Sequence, residues 1–146
     1  MTEQKDWDAI AAEVLNDRYY ESYLLWRSAA QKQYEYAVQI ARYLFDRKTK
    51  DALAAYDAEC SAAYVAYRAA TQSKFPEISL QDATRRAPDE WAAFLARDGQ
   101  AKMAYEDATK DEREEQILAI ADAAHRFEVG AAVQVAHMAK SQVAEA

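Results

Sequence analysis

The residues best suited to metal chemistry lie together in the last third of the chain. Asp122 precedes His125 by three residues, and Glu128 follows three residues later. On a helix this spacing runs along one side, and a carboxylate three residues before a histidine is typical of di-iron helical bundles. Such a site needs a second carboxylate–histidine pair, but at the other histidine, His137, the corresponding position is Gln134. We therefore predict no metal site and keep Asp122, His125 and Glu128 as candidates.

The sequence supports a haem site or a catalytic nucleophile no better than it supports a metal site. At 100° per residue, His125 and His137 point about 120° apart, so one helix does not present both to a haem. Cys60 lies on the apolar stripe of a predicted helix, where desolvation raises the pKa of a thiol. The glycines that a nucleophile elbow needs are absent beside any serine or threonine. We expect no cofactor, and we favour a protein that is not an enzyme.

Tyrosines are the most distinctive feature for binding. The chain has 10 tyrosines and 3 tryptophans, with tyrosine runs at 19–23 and 34–36. Tyr20 and Tyr36 fall off the main apolar stripe of the predicted helix, so we expect both to be partly exposed. Exposed tyrosines are enriched at the energetic centres of protein interfaces. We predict that Tyr20 and Tyr36 bind a partner; the alternative is a core rim whose hydroxyls point to solvent.

Acidic residues suggest a second binding surface. Lys and Arg number 18 against 25 Asp and Glu, so the net charge is −7 and a nucleic-acid partner is not expected. Much of the excess lies in residues 106–115, which include Glu112, Glu114 and Glu115. These carboxylates could imitate nucleic-acid phosphates, but Lys110 and Arg113 interleave with them as on an ordinary solvated helix.

Composition determines the fold class. The chain has 34 alanines but only 2 glycines and 2 prolines. Alanine has the highest helix propensity, whereas glycine and proline are typical of turns. A hydrophobic content of 51% excludes a disordered chain, and no apolar run is long enough to span a membrane. We predict a single all-α domain over 1–146. One cysteine and no visible signal peptide favour the cytoplasm.

Apolar spacing predicts two helices in the first half. Steps of three and four residues run from Trp7 to Leu44, which predicts one helix from Asp6 or Asp8 to Phe45. Six consecutive polar residues at 46–51 interrupt the stripe and favour a chain reversal, with a continuous helix as the alternative. A second helix, at about 52–72, follows and has an alanine-rich face.

Prolines and glycines mark the second half. Pro76 ends the second helix, and Ser79 is placed to cap a short helix over about 80–86. Pro88 begins another, which we expect to end at Gly99. The last helix, about 100–143, is predicted to break or kink near Lys110 and Asp111. Its internal Gly130 predicts close contact with another helix.

Together these patterns predict an all-α, three- or four-helix antiparallel bundle, with long first and last helices and a short helical connection around residues 79–98. For function they favour a protein-interaction module, such as a small inhibitor or an assembly factor of phage or bacterial type, which could form homodimers. One alternative is a ligand- or cofactor-binding bundle with a tyrosine- and tryptophan-lined cavity. Another is an acidic inhibitor that mimics nucleic acid.

Overall fold

The computed structural model describes residues 5–77 and 79–146, which form five α-helices and no strand. These are α1 (Trp7–Val14), α2 (Asp17–Lys74), α3 (Leu80–Arg86), α4 (Pro88–Ala108) and α5 (Lys110–Ala144). The predicted all-α class is confirmed, and the long helices are the second and the last. In the part of the chain that is described, no helix has the length and apolarity needed to cross a membrane.

The predicted first helix is divided at Leu15 and Asn16. Asp6 caps α1, accepting a hydrogen bond from the Ala9 amide at 3.1 Å. Asn16 starts α2 in the same way, its Oδ1 accepting from the Tyr19 amide at 3.2 Å. The Gln142 side chain of α5 fixes this break, because its Oε1 accepts from the Asn16 amide at 2.7 Å and its Nε2 donates to the Val14 carbonyl at 3.2 Å. The prediction of one helix up to Phe45 is therefore wrong at this point.

The favoured reversal at 46–51 is also wrong, because α2 runs through this segment without a break. Of its six polar residues only Thr49 is buried, and the other five are exposed. The Thr49 hydroxyl donates to the Phe45 carbonyl at 2.8 Å, so its one polar atom is satisfied within the helix. A threonine thus carries the buried side of α2 across a stretch that has no apolar residue.

The reversal after α2 follows the sequence prediction closely. α2 ends at Lys74, and the Ser79 hydroxyl accepts from the Asp82 amide at 3.3 Å to cap α3. Pro88 occupies the first turn of α4 as expected. α4 does not stop at Gly99 but continues to Ala108, because Gly99 adopts helical geometry with φ negative.

Thr109 separates α4 from α5, which confirms the break predicted near Lys110. Its backbone has φ −110° and ψ 7°, and its hydroxyl donates to the Tyr105 carbonyl at 2.8 Å. The Arg113 side chain also donates to the Thr109 hydroxyl, at 2.8 Å. Two side-chain hydrogen bonds therefore support this junction.

Internal contacts divide the chain into two units. Unit 1 comprises Met1–Leu44 and Glu115–Ala146, and unit 2 comprises Phe45–Glu114. In unit 1, α2 and α5 run antiparallel and α1 packs against them around a core of Ala11, Leu15, Tyr23 and Val135. In unit 2, α2 and α4 run antiparallel and their aromatic rings pack together, with centroids 5.4 Å apart for Tyr56–Tyr105 and 5.5 Å for Tyr67–Trp91.

Gly130 lies where the sequence predicted a close helix approach. A Cβ atom added at Gly130 would lie 3.0 Å from Cζ2 of Trp26, whereas one added at Gly99 would meet nothing within 4 Å. The Trp26 ring packs on Phe127 with centroids 6.1 Å apart and on Tyr23 at 5.9 Å, so a shift of the ring would disturb both contacts. The glycine therefore permits the α2–α5 contact.

Alanine substitutions at the two glycines should have opposite effects. Gly99→Ala removes a helix-interior glycine in open space, so we expect it to raise the free energy of unfolding by about 0.5–1 kcal/mol. Gly130→Ala gains the same propensity but crowds Trp26, and overpacking costs about 1–3 kcal/mol, so we expect a net loss. Urea denaturation of wild type and both variants measures the changes in unfolding free energy. If the two variants are stabilised equally, the contact between Gly130 and Trp26 is not tight.

Candidate functional site

A cleft of about 310 Å³ lies in unit 1 at the start of α1. α1 forms one wall, and α2 and α5 form the others. The aromatic side chains that line it come from all three helices: Trp7, Tyr23, Tyr34 and Phe127. Polar side chains also line it, namely Lys5, Asp6, Asp8, Arg27, Gln31 and Glu128. Its volume is at the lower end of the range for small-molecule pockets, and its mixed lining is typical of them.

Asp8 connects α1 to α2 inside this cleft. Its Oδ1 accepts from the buried Tyr23 hydroxyl at 2.9 Å, and its Oδ2 pairs with Nε of Arg27 at 2.7 Å. Burial raises the pKa of Tyr23 well above its ordinary value, and the hydrogen bond to Asp8 and the carboxylate charge raise it further. The cluster of Asp8, Tyr23 and Arg27 holds the beginning of α1 in place.

Trp7 forms the aromatic wall of the cleft on α1. The Lys5 ammonium lies 5.7 Å from the centroid of its ring, which is within cation–π range. Its indole Nε1 is buried and has no hydrogen-bond partner among the described residues. An unpartnered buried donor costs free energy, so apolar packing rather than hydrogen bonding holds this ring.

A second, more apolar groove lies between α2 and α5 in unit 1. Its volume is about 450 Å³. Apolar side chains supply most of the lining: Trp26, Ala30, Ala37, Ile40, Ala41, Leu44, Ala119, Ala123 and Phe127. Tyr34 and the polar residues Gln33, Asp122 and Arg126 also line it, and Asp122 pairs with Arg126 at 3.0 Å. We refer to this feature as the α2–α5 groove.

Large apolar side chains also point outward from both helices of unit 1. On α2, Leu25, Tyr36 and Tyr43 are 75%, 65% and 63% exposed. On α5, Leu118 is 69% exposed, and Val133 and Val143 are exposed too. The spacing of these residues places them away from the core side chains of the same helices. Exposed apolar surface is typical of protein-interaction sites where it forms a contiguous patch.

The two tyrosines predicted to bind a partner occupy different environments. Tyr36 is exposed on the outward side of α2. Tyr20 is half-buried, packs against the unit 1 core and stacks on Tyr23 with ring centroids 6.5 Å apart. Tyr36 is therefore more accessible to a partner than Tyr20.

The acidic candidates lie in the first turns of α5. Glu112 is half-buried, whereas Glu114 and Glu115 are exposed. In the neighbouring turn the Arg113 guanidinium donates to the Glu106 carbonyl at 3.2 Å. Arg113, one of the two cations among these carboxylates, is thus bound to a backbone carbonyl of α4.

The metal candidates do not converge in the structure. His125 is exposed, Asp122 borders the α2–α5 groove, and Glu128 lines the other cleft. Within residues 5–77 and 79–146 no three or more His, Cys, Asp and Glu side chains are grouped so as to hold a metal ion.

Cys60 is half-buried rather than fully buried. Desolvation by its neighbours raises the pKa of the thiol, and the Asp98 side chain raises it further. The direction agrees with the prediction from the sequence, and a raised pKa disfavours the reactive thiolate.

Sequence reasoning missed the roles of Asp8 and Arg27 in unit 1. Their partnership depends on the break between α1 and α2, which turns residues 8 and 23 toward each other. Asn16 was the available signal, because asparagine is a preferred N-cap residue and Asp17 follows it in the first turn of the new helix.

Comparison of the chain with models of known protein families, with curated proteins and with solved structures found no match.

The raised pKa of Tyr23 predicts a loss of stability in alkali. The neutral phenol is favoured in the folded protein, so its contribution is complete below the ordinary tyrosine pKa of 10.0. It is lost as the pH rises above that value toward the raised pKa. We expect the unfolding free energy to fall above pH 10, and the fall to be smaller in Tyr23→Phe.

Chemical denaturation of both proteins at pH 8 and at several values above 10 measures this effect. Tyr23→Phe should also be less stable at pH 8, because Asp8 loses a hydrogen bond worth about 1.5–3 kcal/mol to a charged group. Tyr36→Phe, at an exposed position, is the control. If the unfolding free energies of wild type and Tyr23→Phe depend on pH in the same way, the alkaline loss of stability does not come from Tyr23.

Proposed function

We propose that this protein is a non-enzymatic interaction module that accepts an amphipathic helix of a protein partner in the α2–α5 groove. The observation that carries the proposal is the groove itself, with nine apolar side chains among its thirteen lining residues. An amphipathic helix laid in an apolar groove is a common mode of protein recognition. A small inhibitor or an assembly factor works through such contacts.

Helix α1 supports the choice of occupant. Its Trp7, Ile10 and Ala11, together with the following Leu15, pack against α2 and α5 at the unit 1 core. The same pair of helices thus already accommodates one short amphipathic helix. Tyr34 and Phe127 line both this groove and the cleft beside α1, but the other eleven lining residues of the groove do not line that cleft, so most of the groove is a separate place for a helix.

The lining also indicates the chemistry of the partner. Ala30, Ala37, Ala119 and Ala123 have small side chains, which let another helix approach closely. Large aliphatic or aromatic side chains of the partner would therefore contact this surface. Asp122 and Arg126 form an ion pair at the groove, so the partner's flanking positions should be polar or charged. The single half-buried cysteine fits a reducing compartment, and we propose the cytoplasm.

A charge placed in the groove should abolish partner binding. Ala119 lines the groove and is exposed, so Ala119→Glu introduces a carboxylate there without disturbing buried packing. Ala121→Glu is the matched control, because Ala121 is exposed but lies about 200° away around the helix. We expect wild type and Ala121→Glu to retain the same protein from cognate cell lysate, and Ala119→Glu to lose it at least tenfold.

Quantitative mass spectrometry of the three captured samples checks this result, and circular dichroism confirms that the variants remain helical. If every retained protein is captured equally by all three baits, the groove is not the docking site.

The cleft beside α1 favours a second function, binding of a small aromatic molecule. Its Trp7, Tyr34 and Phe127 side chains offer ring faces, and Gln31 and Glu128 offer polar contacts. A ligand-binding helical protein with a tyrosine- and tryptophan-lined cavity would have this arrangement.

Native mass spectrometry tests the ligand. We expect purified wild type to carry a small-molecule adduct that denaturation releases. Ala124→Trp fills the cleft and should lack the adduct, whereas Ala136→Trp, on an exposed position of α5, should keep it. A wild type of apoprotein mass that gains nothing from an aromatic compound library would contradict this function.

A further inference from the structure

We propose that the outward side of α2 in unit 1 binds a second copy of this chain, with the two α2 helices antiparallel about a twofold axis near residue 34. The face consists of six exposed residues: Leu25, Ala29, Lys32, Tyr36, Gln39 and Tyr43. We call it the α2 outer face. It is separate from the α2–α5 groove, none of whose lining residues it includes.

The residue spacing of the α2 outer face suits a twofold pair. Successive members are four, three, four, three and four residues apart, which keeps them on one side of the helix. This series of steps is the same in both directions. In an antiparallel pair, Leu25 of each copy therefore meets Tyr43 of the other, and Ala29 meets Gln39 in the same way. An isologous contact requires this self-complementarity.

The charges near the axis are also complementary. Lys32 is the only charged residue of the face, and in this register it lies opposite Tyr36 of the other copy. An ammonium group over a tyrosine ring is favourable. Glu35, which is exposed and one turn from Lys32, places a carboxylate beside the same ammonium group across the axis. This arrangement offsets the repulsion between the two Lys32 side chains.

The apolar side chains of the face are largely exposed within a single chain. Leu25, Tyr36 and Tyr43 are 75%, 65% and 63% exposed. Contact with a second copy would remove these side chains from water, which is favourable.

Sedimentation equilibrium of the purified full chain tests the dimer. We expect wild type to be a dimer at micromolar concentration. Leu25→Glu should raise the dissociation constant at least about 100-fold. The reason is that each dimer would bury two introduced carboxylates, one from each copy, among apolar side chains. Val65→Glu is the matched control, since Val65 is an exposed apolar residue of α2 in unit 2, and it should leave the constant unchanged.

Disulfide formation tests the register. In a Cys60→Ala background, mixed Leu25→Cys and Tyr43→Cys proteins should form a cross-linked dimer. Leu25→Cys alone should not, because the two Leu25 positions of the pair lie about 27 Å apart along the helices.

Three results would overturn the proposal: a wild type that stays monomeric at 100 μM, a dimer that Leu25→Glu leaves intact, or preferential cross-linking of Leu25→Cys to itself. The experiment uses purified protein only, so its outcome is independent of partner capture through the α2–α5 groove.

Discussion

A helix that pairs with a single neighbour buries one stripe of its surface, and the long helices of this protein carry apolar residues on more than one. This constraint explains the main features of unit 1. α1 folds back to cover one side of the α2–α5 pair, and Asp8 fixes it there through Tyr23 and Arg27. Among residues 5–77 and 79–146, the α2–α5 groove and the large side chains of the α2 outer face remain exposed, and both proposals follow from this exposed surface.

Alanine and glycine control how closely the helices approach. Gly130 leaves room for the Trp26 ring, and small side chains along the α2–α5 groove leave a volume of about 450 Å³ unfilled. The same small residues limit the area that α2 and α5 bury against each other, because an alanine side chain fills little of the space between two helices. Aromatic rings span the space between the helices instead, as Trp26 and Phe127 do in unit 1 and Tyr67 and Trp91 do in unit 2.

The proposed surfaces were only partly visible in the sequence. The exposure of Tyr36 on the α2 outer face was predicted, because this residue falls outside the stripe of core residues and position on a helix is a local property that the residue spacing reveals. The groove was not identified, because its lining combines residues of α2 and α5 that are 75 to 101 positions apart. Which side of a helix pair remains open depends on where α1 folds back, and α1 was read as part of a longer helix.

The sequence by itself determined the helical class, the cap at Ser79, the start of α4 at Pro88 and the helix contact at Gly130, because each follows from local backbone chemistry or from a single side-chain volume. Asparagine is a preferred N-cap residue, but only the tertiary structure decided that the chain breaks at Asn16 and that it continues through residues 46–51. At the first position the deciding hydrogen bonds come from Gln142 on another helix. In 46–51, burial of one threonine carries the packed side of α2 through a polar stretch in which local signals favoured a turn.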